Sequence, residues 1–273
     1  MYEFIKVFIL GIVEGITEFL PISSTGHLIL VQQFISLEPE RFANAFSVII
    51  QLGAILSVVV LYFKKLNPFD RDLSPAQRQN TFILWSKVII AVLPATVLGL
   101  LFDDLIDKYL FKPLPVAVTL IVWGLVIILI EKRSPSSFKF NSIYEISYKT
   151  AFLIGLFQCL AMIPGTSRSA ATIIGAMLLG TSRTTAAEFS FFLAIPTMLG
   201  ATLLKVIKVG LAFSGFQWAL ILFGSVVSFV VALLVIKKLM LYIQKHNFSL
   251  FGYYRIVLGT VVLLSSLLFK LKL

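Results

Sequence analysis

Six long apolar stretches, at residues 43–63, 82–102, 116–130, 187–206, 218–236 and 251–269, dictate what this chain can fold into. A helix rises 1.5 Å per residue, so about 20 apolar residues cross a hydrocarbon core ~30 Å thick. Most of the six are that long, and 116–130 is the short one. Composition agrees: 59% of residues are hydrophobic and 13% charged, where a soluble domain carries about 25% charge. In lipid a segment must satisfy its own backbone hydrogen bonds, and helices of this length do so. The reading is an all-α polytopic membrane protein with one integral membrane domain over 1–273. The first apolar run, residues 4–13, ends in Glu14 and Glu18 without a small-residue cleavage site, so insertion through an uncleaved segment is expected.

The net charge is +10. In a soluble chain that balance points to nucleic acid. Here the cations fall in the connectors, as the positive-inside rule requires, and no nucleic-acid partner is expected. Cys159 is the single cysteine, which excludes an internal disulfide and a cysteine metal cluster. His27 and His246 are the only histidines, so a multi-histidine metal site is excluded too.

Two further segments, 4–36 and 150–180, are long enough to span but are broken in the middle by polar residues. One carries Glu14-Gly15-Ile16-Thr17-Glu18-Phe19-Leu20-Pro21-Ile22-Ser23-Ser24-Thr25-Gly26-His27 and the other Pro164-Gly165-Thr166-Ser167-Arg168-Ser169. Interrupted apolar segments at matching places in two halves point to re-entrant helices and a site at mid-membrane. The match has a register. Pro21, Ser23, Ser24 and Thr25 map onto Pro164, Thr166, Ser167 and Arg168 at an offset of 143, as do Phe46-Ser47 onto Phe189-Ser190; Gly11 maps onto Gly155 at 144. Each half then holds one re-entrant helix-loop-helix and three transmembrane helices, 1–133 and 148–273. Three crossings is odd, so the second half is an inverted-topology repeat of the first. The N-terminus, the connectors at 37–42, 103–115 and 207–217, and the C-terminus share one face. The connectors at 64–81, 131–149, 181–186 and 237–250 share the other. The second face holds most of the Lys and Arg and the first holds Asp103, Asp104 and Asp107, so the second is cytoplasmic and both termini lie outside.

Ionisable groups at membrane depth are costly and mark function by default. Glu14 and Glu18, four residues apart, share a helix face. They suit either acid/base work or ligation of a hard cation, Mg²⁺ or Ca²⁺. Pro21 stops a first half-helix, and Ser24 or Thr25 is placed to cap the next. Free N–H groups at that start attract an anion. A serine there is a nucleophile if a base lies beside it, and His27 is near enough in sequence to move the proton. Arg168 presents a planar fork for phosphate oxygens among Ser167, Ser169 and the N–H groups of a second half-helix. Gln51 and Glu188, in or beside the spans that follow each broken segment, stand as supporting polar groups, while Lys87, Lys205 and Lys208 read as cations snorkelling from span ends.

With the Glu14–His27 and Pro164–Ser169 motifs, Gln51-Leu52-Gly53 and Glu188-Phe189-Ser190-Phe191, the chain resembles the bacterial undecaprenyl-diphosphatase family, also called bacitracin-resistance proteins. The resemblance covers essentially the whole chain; Ala170 stands where the family usually has Gly. It implies a plasma-membrane phosphatase converting undecaprenyl diphosphate to undecaprenyl phosphate and inorganic phosphate. Such an enzyme recycles the carrier for peptidoglycan synthesis and confers bacitracin resistance. It also implies inverted repeats, a site open to the outer face and dependence on a divalent cation. Carried over, Glu14 and Glu18 are metal or acid/base residues, Ser24 the nucleophile, His27 the essential histidine and Arg168 the diphosphate holder. Ser23, Thr25, Ser167 and Ser169 flank them as substrate-binding positions. The expected partners are a polyprenyl diphosphate lipid and membrane lipids, with a homodimer as the assembly to consider. In this reading Ser24 attacks the terminal phosphorus and Glu14 or His27 takes its proton; His27 as nucleophile and metal-activated water are the rival mechanisms. The rival function is a secondary transporter of a polyprenyl phosphate, since transporters share this architecture.

Overall fold

The computed structural model describes residues 2–110, 113–133, 137–209 and 213–269, and among these the chain is helical without a named strand. In order the helices are α1 (Tyr2–Thr17), α2 (Ser24–Gln32), α3 (Glu40–Leu61), α4 (Phe63–Leu66), α5 (Pro75–Leu110), α6 (Pro113–Lys132), α7 (Tyr148–Cys159), α8 (Arg168–Leu178), α9 (Arg183–Val209), α10 (Gly215–Ile243) and α11 (Ser249–Phe269). Five are long and apolar enough to cross a membrane: α3, α5 over Pro75–Phe102, α6 over Leu114–Lys132, α9 over Arg183–Lys208, and α10. The sixth expected crossing, α11, is apolar but shorter over its described side chains, Ser249–Ser265. With 22 residues, α3 is about 33 Å long, enough for the hydrocarbon core. Large apolar side chains face outward along these helices, among them Leu100, Leu101, Leu222 and Leu241, each exposed by more than 60%. Lipid is the solvent for that surface.

One expectation about helix ends fails. The 103–115 connector is mostly helix, since α5 runs to Leu110 and α6 starts at Pro113. Hydropathy ends where charge begins, whereas backbone hydrogen bonding continues through Asp, Leu and Lys. The side chains of Asp103, Asp104 and Asp107 lie outside the described ones. Pro94 and Pro196 sit inside α5 and α9 without ending them; neighbouring helices in a membrane bundle support such positions.

Helix pairs pack through small residues. A Cβ on Gly11 or Gly15 of α1 would overlap the α10 backbone at Gly224 or Ser228, and one on Gly155 of α7 would overlap the α5 backbone at Ala91. Close approach of this kind is how membrane helices associate when burial from water cannot drive them. The partners recur in pairs: α1 packs on α10 as α7 packs on α5, α3 on α10 as α9 on α5, and α1 on α2 as α7 on α8, while α6 packs on α11 and α3 on α9. Phe46, Phe189, Phe191 and Phe192 are buried within the α3–α9 region, and Phe19 meets Phe191 edge-on at 5.3 Å between ring centroids.

Polar ties gather the connectors. Glu131, at the end of α6, accepts two hydrogen bonds from Arg183 Nε at 3.0 Å and one from the Phe248 N–H at 2.8 Å. Lys139 and Phe140 N–H groups donate to the Gly180 carbonyl. Lys87 is buried rather than snorkelling, because its ammonium donates to the Tyr144 carbonyl at 2.8 Å. Connectors 131–149, 181–186 and 237–250 therefore meet. Lys6 donates to the Ser36 carbonyl at 2.9 Å, which joins the N-terminal helix to the segment before α3.

Candidate active site

Both broken segments turn in the same way. After α1 the chain passes Pro21 to Ser23, which has φ 74° and caps α2 by accepting the Gly26 N–H on its Oγ at 3.2 Å. After α7 a short 3₁₀ turn, Leu160–Met162, leads through Pro164 and Gly165 to Ser167, also at φ 74°, whose Oγ accepts the Ala170 N–H at 3.2 Å and caps α8. Serine seldom adopts a left-handed φ, and two such residues at one place in two loops mark a shared design. The structure corrects the register. The caps are Ser23 and Ser167, 144 apart, the same offset as Gly11 and Gly155; the shift to 143 falls after the loops, where α3 and α9 begin at Glu40 and Arg183.

This also corrects the cap. Neither Ser24 nor Thr25 caps α2; Ser23 does, because its left-handed φ turns its own hydroxyl back onto the Gly26 N–H. Ser24, now the first helical residue, is free to donate its hydroxyl to Glu18 Oε2 at 2.5 Å. Arg168 is the first residue of α8, and its Nη2 lies 3.4 Å from Glu18 Oε1. Two residues in equivalent positions, one from each loop, thus converge on one buried carboxylate. The other arm of Arg168, Nη1, donates to the Ser190 carbonyl on α9 at 3.0 Å, and Ser169 Oγ donates to the Leu20 carbonyl of the first loop at 3.0 Å. Ser167 Oγ and Ser169 Oγ are 3.0 Å apart.

Unmet polar groups surround this cluster. Both carboxylate oxygens of Glu14 are buried without a hydrogen-bond partner, as are Arg168 Nε and Thr166 Oγ1. A buried carboxylate is costly unless something pairs with it. Among the described residues no group of three or more His, Cys, Asp or Glu gathers to hold a metal ion. Two carboxylates one turn apart nevertheless fit Mg²⁺, which uses one or two protein carboxylates together with waters and substrate phosphate oxygens. The orphaned oxygens of Glu14, with Glu18 beside them, are the place where the residues fit a cation. Arg168 engages Glu18 by a single long contact of 3.4 Å and leaves Nε without a partner, in contrast to the tight multi-contact pair of Arg183 with Glu131.

The other residues marked by the sequence spread out. His27 turns away from Ser24: its Nδ1 lies 2.7 Å from the Ser23 carbonyl and its Nε2 2.7 Å from the Tyr254 hydroxyl. Thr25 is half-buried on α2. Gln51 is half-buried on α3. Glu188 pairs with Lys65 at 2.5 Å, not with the carboxylate–arginine cluster.

Arg255 on α11 is a site residue that the motifs do not mark. Its side chain is fully buried, and it donates to three carbonyls: Pro21 at 3.1 Å, Gly165 at 2.6 Å and Leu120 at 3.4 Å. It therefore ties the first loop to the second from behind. A signal existed, since Arg255 is the sole charge within the apolar stretch 251–269.

A serine hydroxyl on a carboxylate, a guanidinium with an unpartnered Nε and two helix starts are groups of the kind that phosphoryl transfer uses. Comparison with known proteins gives the family. The family model described as bacitracin resistance protein BacA matches residues 7–261. The chain is 58% identical over 264 residues to undecaprenyl-diphosphatase 1 of Clostridioides difficile, covering 96% of each chain. It is 53% identical over 269 residues to an undecaprenyl-diphosphatase of Lacticaseibacillus paracasei, covering 97% of this chain and 98% of the relative. It is 52% identical over 266 residues to one of Enterococcus faecalis, covering 96% of each. Matched along nearly its whole length, the chain belongs to the bacitracin resistance protein BacA family of multi-pass membrane proteins.

Proposed function

We propose that this chain is a membrane phosphatase that hydrolyses undecaprenyl diphosphate to undecaprenyl phosphate and inorganic phosphate. It thereby recycles the lipid carrier for peptidoglycan synthesis and confers bacitracin resistance. The observation that carries this reading is the chain of contacts Ser24–Glu18–Arg168, in which residues from two loops meet on one carboxylate.

Ser24 Oγ attacks the terminal phosphorus in line while Glu18 Oε2 takes its proton. The bond from that phosphorus to the bridging oxygen breaks, and undecaprenyl phosphate leaves with the electron pair and with the proton that Glu18 took from Ser24, which returns Glu18 to the carboxylate. Water then attacks the phosphoseryl group; the proton it loses passes to Glu18, and the Ser24 oxygen leaves as the phosphorus–oxygen bond breaks and is reprotonated from Glu18. The base in contact is thus Glu18, where the sequence alone pointed to Glu14 or His27. Arg168 turns its fork from Glu18 to the phosphate oxygens, and the N–H groups at the starts of α2 and α8 stabilise charge developing there. A divalent cation, Mg²⁺ or Ca²⁺, held by Glu14 with Glu18, would neutralise charge on the diphosphate oxygens.

The finer architecture belongs to the same proposal. The two loops are re-entrant tips of an inverted-topology repeat, a reading supported by the matching Ser23 and Ser167 caps and the paired helix contacts. Its cation-rich connectors face the cytoplasm of a bacterial plasma membrane, with both termini outside and the site open to the outer face. The test is phosphate release from a C55 or C15 polyprenyl diphosphate by purified protein, with and without chelator. Release that stops on chelation and returns with Mg²⁺ is expected; absence of release under both conditions overturns the reading.

A further inference from the structure

His27 is held at both ring nitrogens. Nδ1 lies 2.7 Å from the Ser23 carbonyl, which can only accept, so Nδ1 carries the proton. In the neutral ring Nε2 is then the acceptor, and the Tyr254 hydroxyl 2.7 Å away donates to it. The two rings lie nearly parallel, 4° apart with centroids 5.6 Å apart, so the tyrosine restrains the plane of the imidazole as well as its lone pair. Tyr254 immediately precedes Arg255, which ties the two loops together, and it stays 44% exposed while its neighbour is buried. One turn of α11 therefore addresses both the loop scaffold and the histidine.

We infer that Tyr254 is a positioning residue for His27: its phenol fixes the Nδ1–H tautomer and holds Nε2, the ring's one basic atom, in one orientation. The inference rests on the phosphatase reading for its consequence on turnover, and on geometry alone for the state of the ring. Without the phenol, Nε2 loses its donor and the ring can rotate or exchange tautomers. The imidazole one turn along α2 from Ser24 is then present in mixed orientations.

The chain has two histidines, so ¹⁵N-histidine labelling with His246→Gln leaves one imidazole to observe in detergent or nanodiscs. The expected spectrum is the Nδ1–H tautomer with Nε2 shifted as a hydrogen-bond acceptor, and Tyr254→Phe, which keeps the stacked ring, moves the Nε2 resonance toward an unbonded or mixed state. In turnover, Tyr254→Phe lowers kcat about tenfold, the weight of one hydrogen bond, with KM and thermal midpoint unchanged. In a His27→Gln background it lowers kcat no further. Histidine resonances unmoved by Tyr254→Phe, or the same loss in the His27→Gln background, overturn the inference. A wild-type protein that releases no phosphate overturns the phosphatase reading instead, and the ¹⁵N spectrum still decides whether Tyr254 holds the ring.

Discussion

The first and second loops share a backbone and differ in chemistry. Each ends a half-helix, turns through a serine at φ 74° and starts a new helix under that serine's hydroxyl. At the offset of 144, Ser24 corresponds to Arg168, Glu14 to Gln158 and Glu18 to Met162. The carboxylates exist on one side only. Gln158, the neutral counterpart of Glu14, hydrogen-bonds Thr197 within its own half at 3.3 Å. Two helix starts of like geometry thus carry a hydroxyl on one side and a guanidinium on the other, both aimed at Glu18. A symmetric pair of loops would hold two anion sites or two carboxylate pairs; in the proposed mechanism the asymmetric pair divides the work, one loop gripping the phosphate and the other attacking it.

The largest test of that asymmetry is Ser24→Ala, which removes the reacting oxygen and leaves the Ser23 cap. We expect kcat to fall by at least about a thousandfold without loss of folded protein; near-normal turnover would mean that the first loop does not supply the nucleophile. Arg168→Lys keeps the charge but not the fork, and a loss of about a hundredfold is expected in kcat/KM. Arg255→Met tests whether the two loops must be tied together. It removes the donor to the Pro21 and Gly165 carbonyls of the two loops, so stability should fall by roughly 2–5 kcal/mol, read as an earlier thermal transition with activity falling alongside. Glu14→Gln makes the first loop more like the second at Gln158. It should raise the Mg²⁺ concentration needed for half-maximal activity, while an unchanged metal titration would place the cation elsewhere. The smallest effect belongs to the shared feature: Ser167→Gly relieves a left-handed φ and loses one cap, which should leave stability within about 1 kcal/mol of the original.

Much of this was legible in residue order because lipid makes polarity expensive. Pro, Ser and charged residues inside apolar runs marked both loops, and the family motifs they carry picked out Glu14, Glu18, Ser24 and Arg168. The spans at 187–206 and 218–236 reappear inside α9 and α10. What could not be read was which polar atom meets which. The cap was expected at Ser24 or Thr25 and falls on Ser23, since a backbone angle, not a residue preference, decides where the helix begins. That shift of one residue turns Ser24 onto Glu18. His27, three residues from Ser24 in sequence, points to Tyr254 instead, and Arg255, though conspicuous as the sole charge in its apolar span, has a purpose only once its carbonyl partners are seen.

Sequence by itself determined that this chain lives in a membrane as packed helices, broken twice by polar loops, and which side chains those loops carry. Local patterns of apolar length and polar interruption are enough for that, because each segment must satisfy its own backbone. Only the tertiary structure decided that Ser24 and Arg168 share one carboxylate, and that α11 ties down the loops and holds the histidine. Those contacts join residues 150 and 227 positions apart, and no local preference reaches across such a distance.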